Sequence, residues 1–329
     1  MTGRRTTRRS FFGFAAGALA APALPRLAGA QALAYPTKPI RAMIPFSAGS
    51  SLDIVGRLVL DPLSTRLGQP IVIENRGGAG GTIGSGIVAK SEPDGYTLLV
   101  NASAHSSAPA AYPNITYDPA KDFSGVAMFG TIPNVALVAP EKGIKTIQDL
   151  VAKAKGGSFT YASAGVGSAT HWAAERLRVS GGFSAVHVPF RGGPEALTEV
   201  MTGRVDFTCM GMSSALPFIQ DGKLVPLAVS SPKRSSALPN VPTTLEAGLA
   251  DSDYTYWMGL LAPANTPKPI VDRLYQETQK VLTLANVQET FKQQGIEPLP
   301  MTPAEFDALI RKEIDQNIAL VKTAGLKFN

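Results

Sequence analysis

Cysteine is nearly absent from this chain, with Cys209 the single one among 329 residues. No intramolecular disulfide can form, and motifs of the CxxC or zinc-knuckle kind are excluded. The surrounding Val205-Asp206-Phe207-Thr208-Cys209-Met210 reads as a buried strand, so a packed, inert thiol is expected. Histidine is almost as scarce, and His105, His171 and His187 lack metal-ligand spacing, so no metal is expected. Charged residues make up only 17% of the chain. No apolar run reaches the roughly twenty residues that cross a bilayer, so a soluble protein, not itself membrane-embedded, is expected. Nucleotide and hydrolase motifs are missing too. The nearest candidate, Gly78-Ala79-Gly80-Gly81-Thr82-Ile83, puts Ile83 where the third glycine of GxGxxG must stand. No cofactor is expected. A Ser-His-Asp site gathered from distant loops is defined by geometry rather than spacing, so a hydrolase stays as an alternative.

Acidic residues are absent from the first thirty positions, which hold Arg4, Arg5, Arg8, Arg9 and Arg26. An apolar run from Phe11 to about Leu24 and the small residues Ala28-Gly29-Ala30 complete the pattern of an export signal over 1–30. Thr7-Arg8-Arg9-Ser10-Phe11-Phe12 resembles a twin-arginine motif, and a general secretory signal is the alternative. The mature chain is expected to begin near Gln31 and to reside in the periplasm as a monomer. The formal charge of +6 belongs mostly to that signal: without its five Arg, 26 basic residues face 25 acidic ones. A nucleic-acid partner therefore lacks its electrostatic footprint.

About 300 mature residues exceed what one core usually holds, so two lobes are expected. Strand, small-residue loop and helix follow one another repeatedly. Ile40 to Ile44 is a strand, and Leu52, Val55, Leu58, Val59 and Leu63 keep helical spacing up to about Leu67. Strands are also read at 71–74, 96–100, 135–138, 159–162, 185–188 and 205–210. Helices follow at 83–91, 147–154, 170–179 and 194–203. Tyr254 to Leu261 reads as a strand returning to the first lobe, and two long helices, about 268–284 and 303–323, close the chain. The alternation predicts an α/β protein with parallel sheets covered on both faces. Lobe 1 is expected over 35–135 and 258–329, and lobe 2 over 136–257.

The strand-to-helix loops are rich in Gly and Ser and poor in charge. They belong at the carboxyl ends of parallel strands, where open α/β sheets bind ligands. Unpaired N–H groups and the positive end of the helix dipole there favour an anion, and a carboxylate is the natural occupant. Ser47, Gly49, Ser50 and Ser51 from one lobe, with Gly165, Gly167, Ser168, Arg191, Gly192 and Gly193 from the other, form the expected cradle. The same residues also serve as turn formers and caps. Ser50-Ser51-Leu52-Asp53 fits a capping box, and His171 stands in the first turn of its helix with no catalytic role assigned.

These residues fit a known pattern. Tyr35-Pro36-Thr37-Lys38-Pro39-Ile40-Arg41, Pro45-Phe46 through Asp53 and Arg57, Glu74-Asn75-Arg76-Gly77-Gly78-Ala79-Gly80-Gly81, Pro93-Asp94-Gly95-Tyr96, Pro189-Phe190-Arg191-Gly192-Gly193 and Gly203-Arg204-Val205-Asp206 stand in order along the chain. Together they resemble the Bug family of substrate-binding proteins of tripartite tricarboxylate transporters. The resemblance implies a type II periplasmic binding protein fold, two Rossmann-like α/β lobes with parallel-rich sheets joined by crossing strands. It also implies a cleft that holds a small carboxylate (a di- or tricarboxylate, acidic amino acid or aromatic carboxylate) through backbone amides and waters. Integral membrane transporter subunits are the implied partners, a two-component sensor being the alternative recipient. Carried over by position, the contacts are Phe46, Ser47, Ala48, Gly49, Ser50, Ser51, Asp53, Asn101, Ser103, Ser163, Ala164, Gly165, Gly167, Ser168, Thr170, His171, Arg191, Gly192, Gly193 and Asp206. One departure stands out. The family's first loop usually reads Pro-Phe-Pro-Ala-Gly-Gly, whereas this chain has Ser47 and Ser50.

Overall fold

The computed structural model describes residues 35–324, so the expected export signal at 1–30 lies outside the described residues. The chain opens with β1 (Ile40–Ile44), α1 (Ser51–Leu67), β2 (Ile71–Asn75), α2 (Thr82–Ala89), β3 (Thr97–Ala102), α3 (Ala104–Ala111) and the long β4 (Phe123–Val138). The second lobe follows as α4 (Ile147–Gly156), β5 (Phe159–Ser163), α5 (Ala169–Gly181), β6 (Ala185–Pro189), α6 (Gly193–Met201), β7 (Phe207–Gly211), α7 (Met212–Gln220) and β8 (Val225–Val229). β9 (Thr255–Pro263) crosses back to α8 (Lys268–Leu282), α9 (Ala285–Gln293) and α10 (Pro303–Ala324). Strand order is β2-β1-β3-β9-β4-β7-β5-β6, with β8 also on β4.

Side-chain alternation explains the layering. Along β1, Ile40, Ala42 and Ile44 pack with Val55, Val59 and Leu63 of α1, while Met43 points to the opposite face with Val88, Leu99 and Trp257. In the second lobe Ala136 and Val138 of β4 meet Ile147, Leu150 and Leu177 from α4 and α5. Each fully buried side chain of this kind contributes about 1.5–3 kcal/mol. Within each lobe β1 pairs in parallel with β2 and β3, and β5 with β6 and β7. The crossing strands run antiparallel to their neighbours, so the sheet is mixed. β4 pairs with β9 from Phe123 to Pro133 and with β7 and β8 beyond Asn134, which carries it from one lobe into the other.

Four elements depart from the sequence reading. β4 begins twelve residues before Val135, because bulges near Gly125 and Gly130 break the alternation that would have betrayed it. The segment 101–105, expected as a loop, ends β3 and opens α3, whose Ser-rich run with Pro109 reads as a poor helix former. β8 holds Pro226, which hides a strand that pairs with β4 and carries on its other side an isolated bridge from Val229 to Thr243. The expected helix over 268–284 ends at Leu282, since Leu284 is extended before α9.

Candidate binding cleft

The loop after β1 is bolted down by one carboxylate. Gly49 adopts φ 77°, a left-handed conformation that favours glycine, and the turn closes through Ser50 N–H donating to Ser47 O at 3.1 Å. Ser50 caps α1 by accepting from Asp53 N–H at 3.3 Å. The capping box is not reciprocal, however. Asp53 Oδ2 accepts instead from Gly49 N–H at 2.9 Å, and Oδ1 from Arg57 Nε and Asn75 Nδ2, each at 3.0 Å. Asn75 Nδ2 also donates to Phe46 O. Burial alone would raise the Asp53 carboxyl, but hydrogen bonds from Arg57, Gly49 and Asn75 outweigh it and hold the group below the usual carboxylate range.

The loop after β5 rests on a different support. Ser168 caps α5 by accepting from His171 N–H, and its hydroxyl pairs with Thr170 Oγ1 at 2.9 Å. Thr170 Oγ1 also accepts from Ala164 N–H at 2.8 Å. Gly167 N–H donates to His171 Nδ1 at 3.0 Å, which requires that nitrogen to be unprotonated. Beneath it the rings of His171 and His187 stack at 4.0 Å with 8° between planes, and Tyr161 continues the column. Burial pushes His171 down to about 3 and His187 to about 4, with the neighbouring His187 adding to the effect on His171. Below the stack, Tyr161 donates to Glu175, which is paired with Arg178. Ser163 Oγ lies 2.6 Å from His187 Nε2, the one feature that evokes a nucleophile and its base. Ser163 is fully buried and lines neither the interlobe void nor the hollow beside Arg191; its hydroxyl also meets Gly165 N–H and O, so the pair shapes the loop.

Between the lobes lies a void of about 40 Å³. Phe46, Ser50, Ser51 and Leu52 line it from the first loop and α1, and Ala102 and Ala104 from the β3–α3 junction. The second lobe supplies Ala164, Ser168, Ala169, Thr170, Gly193, Met210 and Gly211, and the crossing strand β9 supplies Tyr256. Thus α1, α3, α5 and α6 present first-turn residues, and α7 its cap. The first turn of a helix leaves backbone N–H groups without intrahelical partners, and its dipole is positive there. No Lys, Arg, Asp or Glu is among the lining residues. The lobes also bond directly: Ser51 Oγ donates to Ser214 Oγ at 3.0 Å, Ser107 Oγ to Gly167 O at 2.6 Å, and Tyr112 Oη to Val166 O at 3.0 Å.

Of the expected contacts, Phe46, Ser50, Ser51, Ala164, Ser168, Thr170 and Gly193 come together on this void. Gly192 meets Ser47 across the lobes: a Cβ on Gly192 would overlap Ser47 Oγ and reach within 2.7 Å of Ser47 Cβ. Its backbone is extended, at φ −175°, so close approach and not backbone conformation calls for glycine here. A Cβ on Gly49 would meet Pro194 only at an ordinary contact distance of 3.5 Å, so its left-handed backbone and not crowding calls for glycine there, and Ala48 is exposed on the turn. Asp53, His171, Ser163, Gly165 and Gly167 support the loops without lining the void. Asn101 is spent on Ser85 and Ala102, and Ser103 on Trp257. Arg191 is exposed beside a separate hollow with Gly80, Val166 and Glu195. Asp206 is set apart from the cleft. It precedes β7 at the end opposite Gly211, bound to Lys142 at 2.7 Å and to Thr160. Met210 and Gly211 were missed although they end a strand, where the same rule applies. Tyr256 had no local signal, because its place depends on a crossing strand. Cys209 is buried in β7 as expected, its thiol pushed up to about 12 by burial.

Among the described residues no helix is long and apolar enough to cross a membrane, and no group of His, Cys, Asp and Glu is placed to hold a metal ion. The family profile described as "Tripartite tricarboxylate transporter family receptor" matches residues 55–326. BugT of Bordetella pertussis is 34% identical over 300 residues, covering 89% of this chain and 91% of that protein. The solved structure of the periplasmic binding protein BugD is 33% identical with a TM-score of 0.86, over 89% of this chain and 99% of that one. MatC from Rhodopseudomonas palustris, with bound malate, is 31% identical with a TM-score of 0.83, over 87% of this chain and all of that one. With the fold, the two lobes and the profile in agreement, the chain belongs to the tripartite tricarboxylate transporter receptor family of solute-binding proteins.

Proposed function

We propose that the chain is a periplasmic receptor whose lobes close on a small carboxylate and deliver it to the membrane subunits of a tripartite transporter. The observation that carries this reading is the convergence of four helix N-termini on one interlobe void that no charged side chain enters. Such a site suits an anion held by preorganised N–H groups and hydroxyls. Ser50, Ser51, Ser168, Thr170 and Gly193 are the proposed direct contacts, with Phe46 and Ala164 as walls. Ser47 and Gly192 are the proposed hard stop at which the lobes meet. The proposed lobes are 35–135 with 258–329, and 136–257; the change of β4 from β9 to β7 and β8 at Asn134 supports that boundary. Malate in MatC is the related precedent for a carboxylate.

Mass spectrometry of small molecules released on denaturing protein purified from the periplasm, followed by a thermal-shift screen of carboxylates, tests the reading. A carboxylate that returns unchanged and raises Tm at low concentration is expected. Turnover of that molecule, or indifference to every carboxylate, would sink it.

A further inference from the structure

We infer that the loop 165–167 of the second lobe is a catch by which the first lobe holds the cleft shut, so that Gly77, Gly80, Ser107 and Tyr112 set how long a ligand stays without touching it. The inference rests on the receptor reading above. None of these residues lines the void. Val166 O accepts from Tyr112 Oη at 3.0 Å and Gly167 O from Ser107 Oγ at 2.6 Å, the two donors standing in α3 and directly after it. Gly80 packs on the same Val166 carbonyl: a Cβ there would overlap the oxygen, and one on Gly165 would come within 3.1 Å of Gly80 N. Farther along this seam, a Cβ on Gly77 would come within 2.7 Å of Arg191 O. At Gly77 and Gly80 a Cα hydrogen therefore faces a carbonyl of the opposite lobe, a weak C–H···O contact that backbones reach only where no side chain intervenes. Arg191 serves the seam through its carbonyl, while its side chain is exposed.

The catch is coupled to the site through its own continuation. Ser168, a proposed contact, follows it directly. Gly165 N–H is tied to Ser163 Oγ and Gly167 N–H to His171 Nδ1, which fixes the direction in which the loop presents its carbonyls. A ligand enters while the lobes are apart and the catch is free, whereas it leaves only after the catch has released. With the closed form dominant in the complex, weakening closure by some factor raises the dissociation rate by that factor and leaves association unchanged. Every carboxylate loses affinity alike, because the catch touches none of them.

Stopped-flow binding of malate, adipate and citrate to the full mature chain tests this, with urea unfolding of ligand-free samples beside it. Gly77 lies outside the left-handed region, so Gly77→Ala keeps its backbone and adds only the methyl that meets Arg191 O. It is expected to raise the dissociation rate about tenfold or more through that clash. The factor should be common to every probe that binds, and association should stay within roughly twofold of the parent's. Tyr112→Phe, which deletes one hydroxyl, is expected to give a smaller rise of about threefold, the loss of one ordinary hydrogen bond. It decides the matter if Gly77→Ala lowers ligand-free stability. Unchanged dissociation would overturn the inference and leave the carboxylate cleft standing. Slowed association, or a factor that differs between probes, would overturn it too, by making these residues part of the entrance or of the recognition surface. A parent that binds none of the probes, nor any other carboxylate, would overturn the receptor reading and the catch together.

Discussion

The two loops that face the cleft are braced by opposite chemistries. In the first lobe a single carboxylate, Asp53, gathers Gly49, Asn75 and Arg57, and the Arg57 side chain is 45% exposed while that of Asp53 is 5% exposed. In the second lobe a neutral ring stack of His171, His187 and Tyr161 lies under the loop, and the loop's N–H points at a ring nitrogen. An ionic bracket concentrates its support in one group, whereas a ring stack spreads it over several but only while the rings stay uncharged. The two loops therefore differ in what breaks them: one is vulnerable to a single deletion, the other to acid.

The largest effect is expected from Asp53→Ala. It removes the acceptor of the Gly49 N–H and the charge partner of the half-exposed Arg57, while the Asn75 amide keeps Phe46 O and Arg57 keeps Asn75 Oδ1, so unfolding free energy measured by urea titration should drop by about 1–3 kcal/mol, with ligand affinity lost alongside. A stability change under 1 kcal/mol would mean that the bracket is dispensable.

Acid separates the two loops next, while the buried His105 makes the first lobe acid-sensitive elsewhere. Unfolded histidine takes up a proton near pH 6.5, while folded His105 and His187 stay neutral to about 4 and His171 to about 3. The unfolded chain binds more protons throughout that window, so stability holds above about pH 6.5 and falls as the pH drops towards 4. The slope is on the order of 1 kcal/mol per pH unit for each histidine. Asp53, whose folded carboxyl is lowered, keeps its contribution until the pH falls through its own depressed value. Hydrogen exchange at pH 5 should thus loosen the 163–171 loop before the 46–53 loop, and simultaneous loss would erase the distinction. His187→Phe keeps an aromatic plane in the stack and should reduce the pH slope of stability.

Sequence reading found the strand-to-helix loops but not which of their atoms face the ligand. Gly and Ser at 47–51 and 163–170 carry a local signal, since both turn formation and an N-terminal anion site ask for them. Asp53 and His171 carry no signal of direction: the same spacing lets each side chain cap, bracket or reach inward, and tertiary partners such as Asn75 and His187 decide. Asp206 was misplaced by resemblance alone, because the end of the strand at which it stands becomes clear only with the register of β7. Tyr256 and the 123–134 half of β4 were invisible, since their roles arise from long-range antiparallel pairing. Burial of Cys209 needed only composition and pattern.

Ser50→Gly is expected to have the smallest effect on stability, a few tenths of a kcal/mol for exchanging one good cap for a tolerable one. The same change removes an unspent hydroxyl proton from the cleft, so it should alter the ranking of carboxylates in a thermal-shift series. An unchanged ranking would place Ser50 outside the recognition surface. Because the site is buried, affinity should also fall less than about tenfold between low and moderate salt.

Gly192→Val tests the central claim most directly, because the backbone at φ −175° accepts valine while the added Cβ meets Ser47 across the cleft. Calorimetry with whichever carboxylate binds the parent, beside urea unfolding of the same samples, should show affinity falling at least a hundredfold while stability stays within about 1 kcal/mol of the parent. A folded Gly192→Val that binds that carboxylate as tightly as the parent would place the site elsewhere.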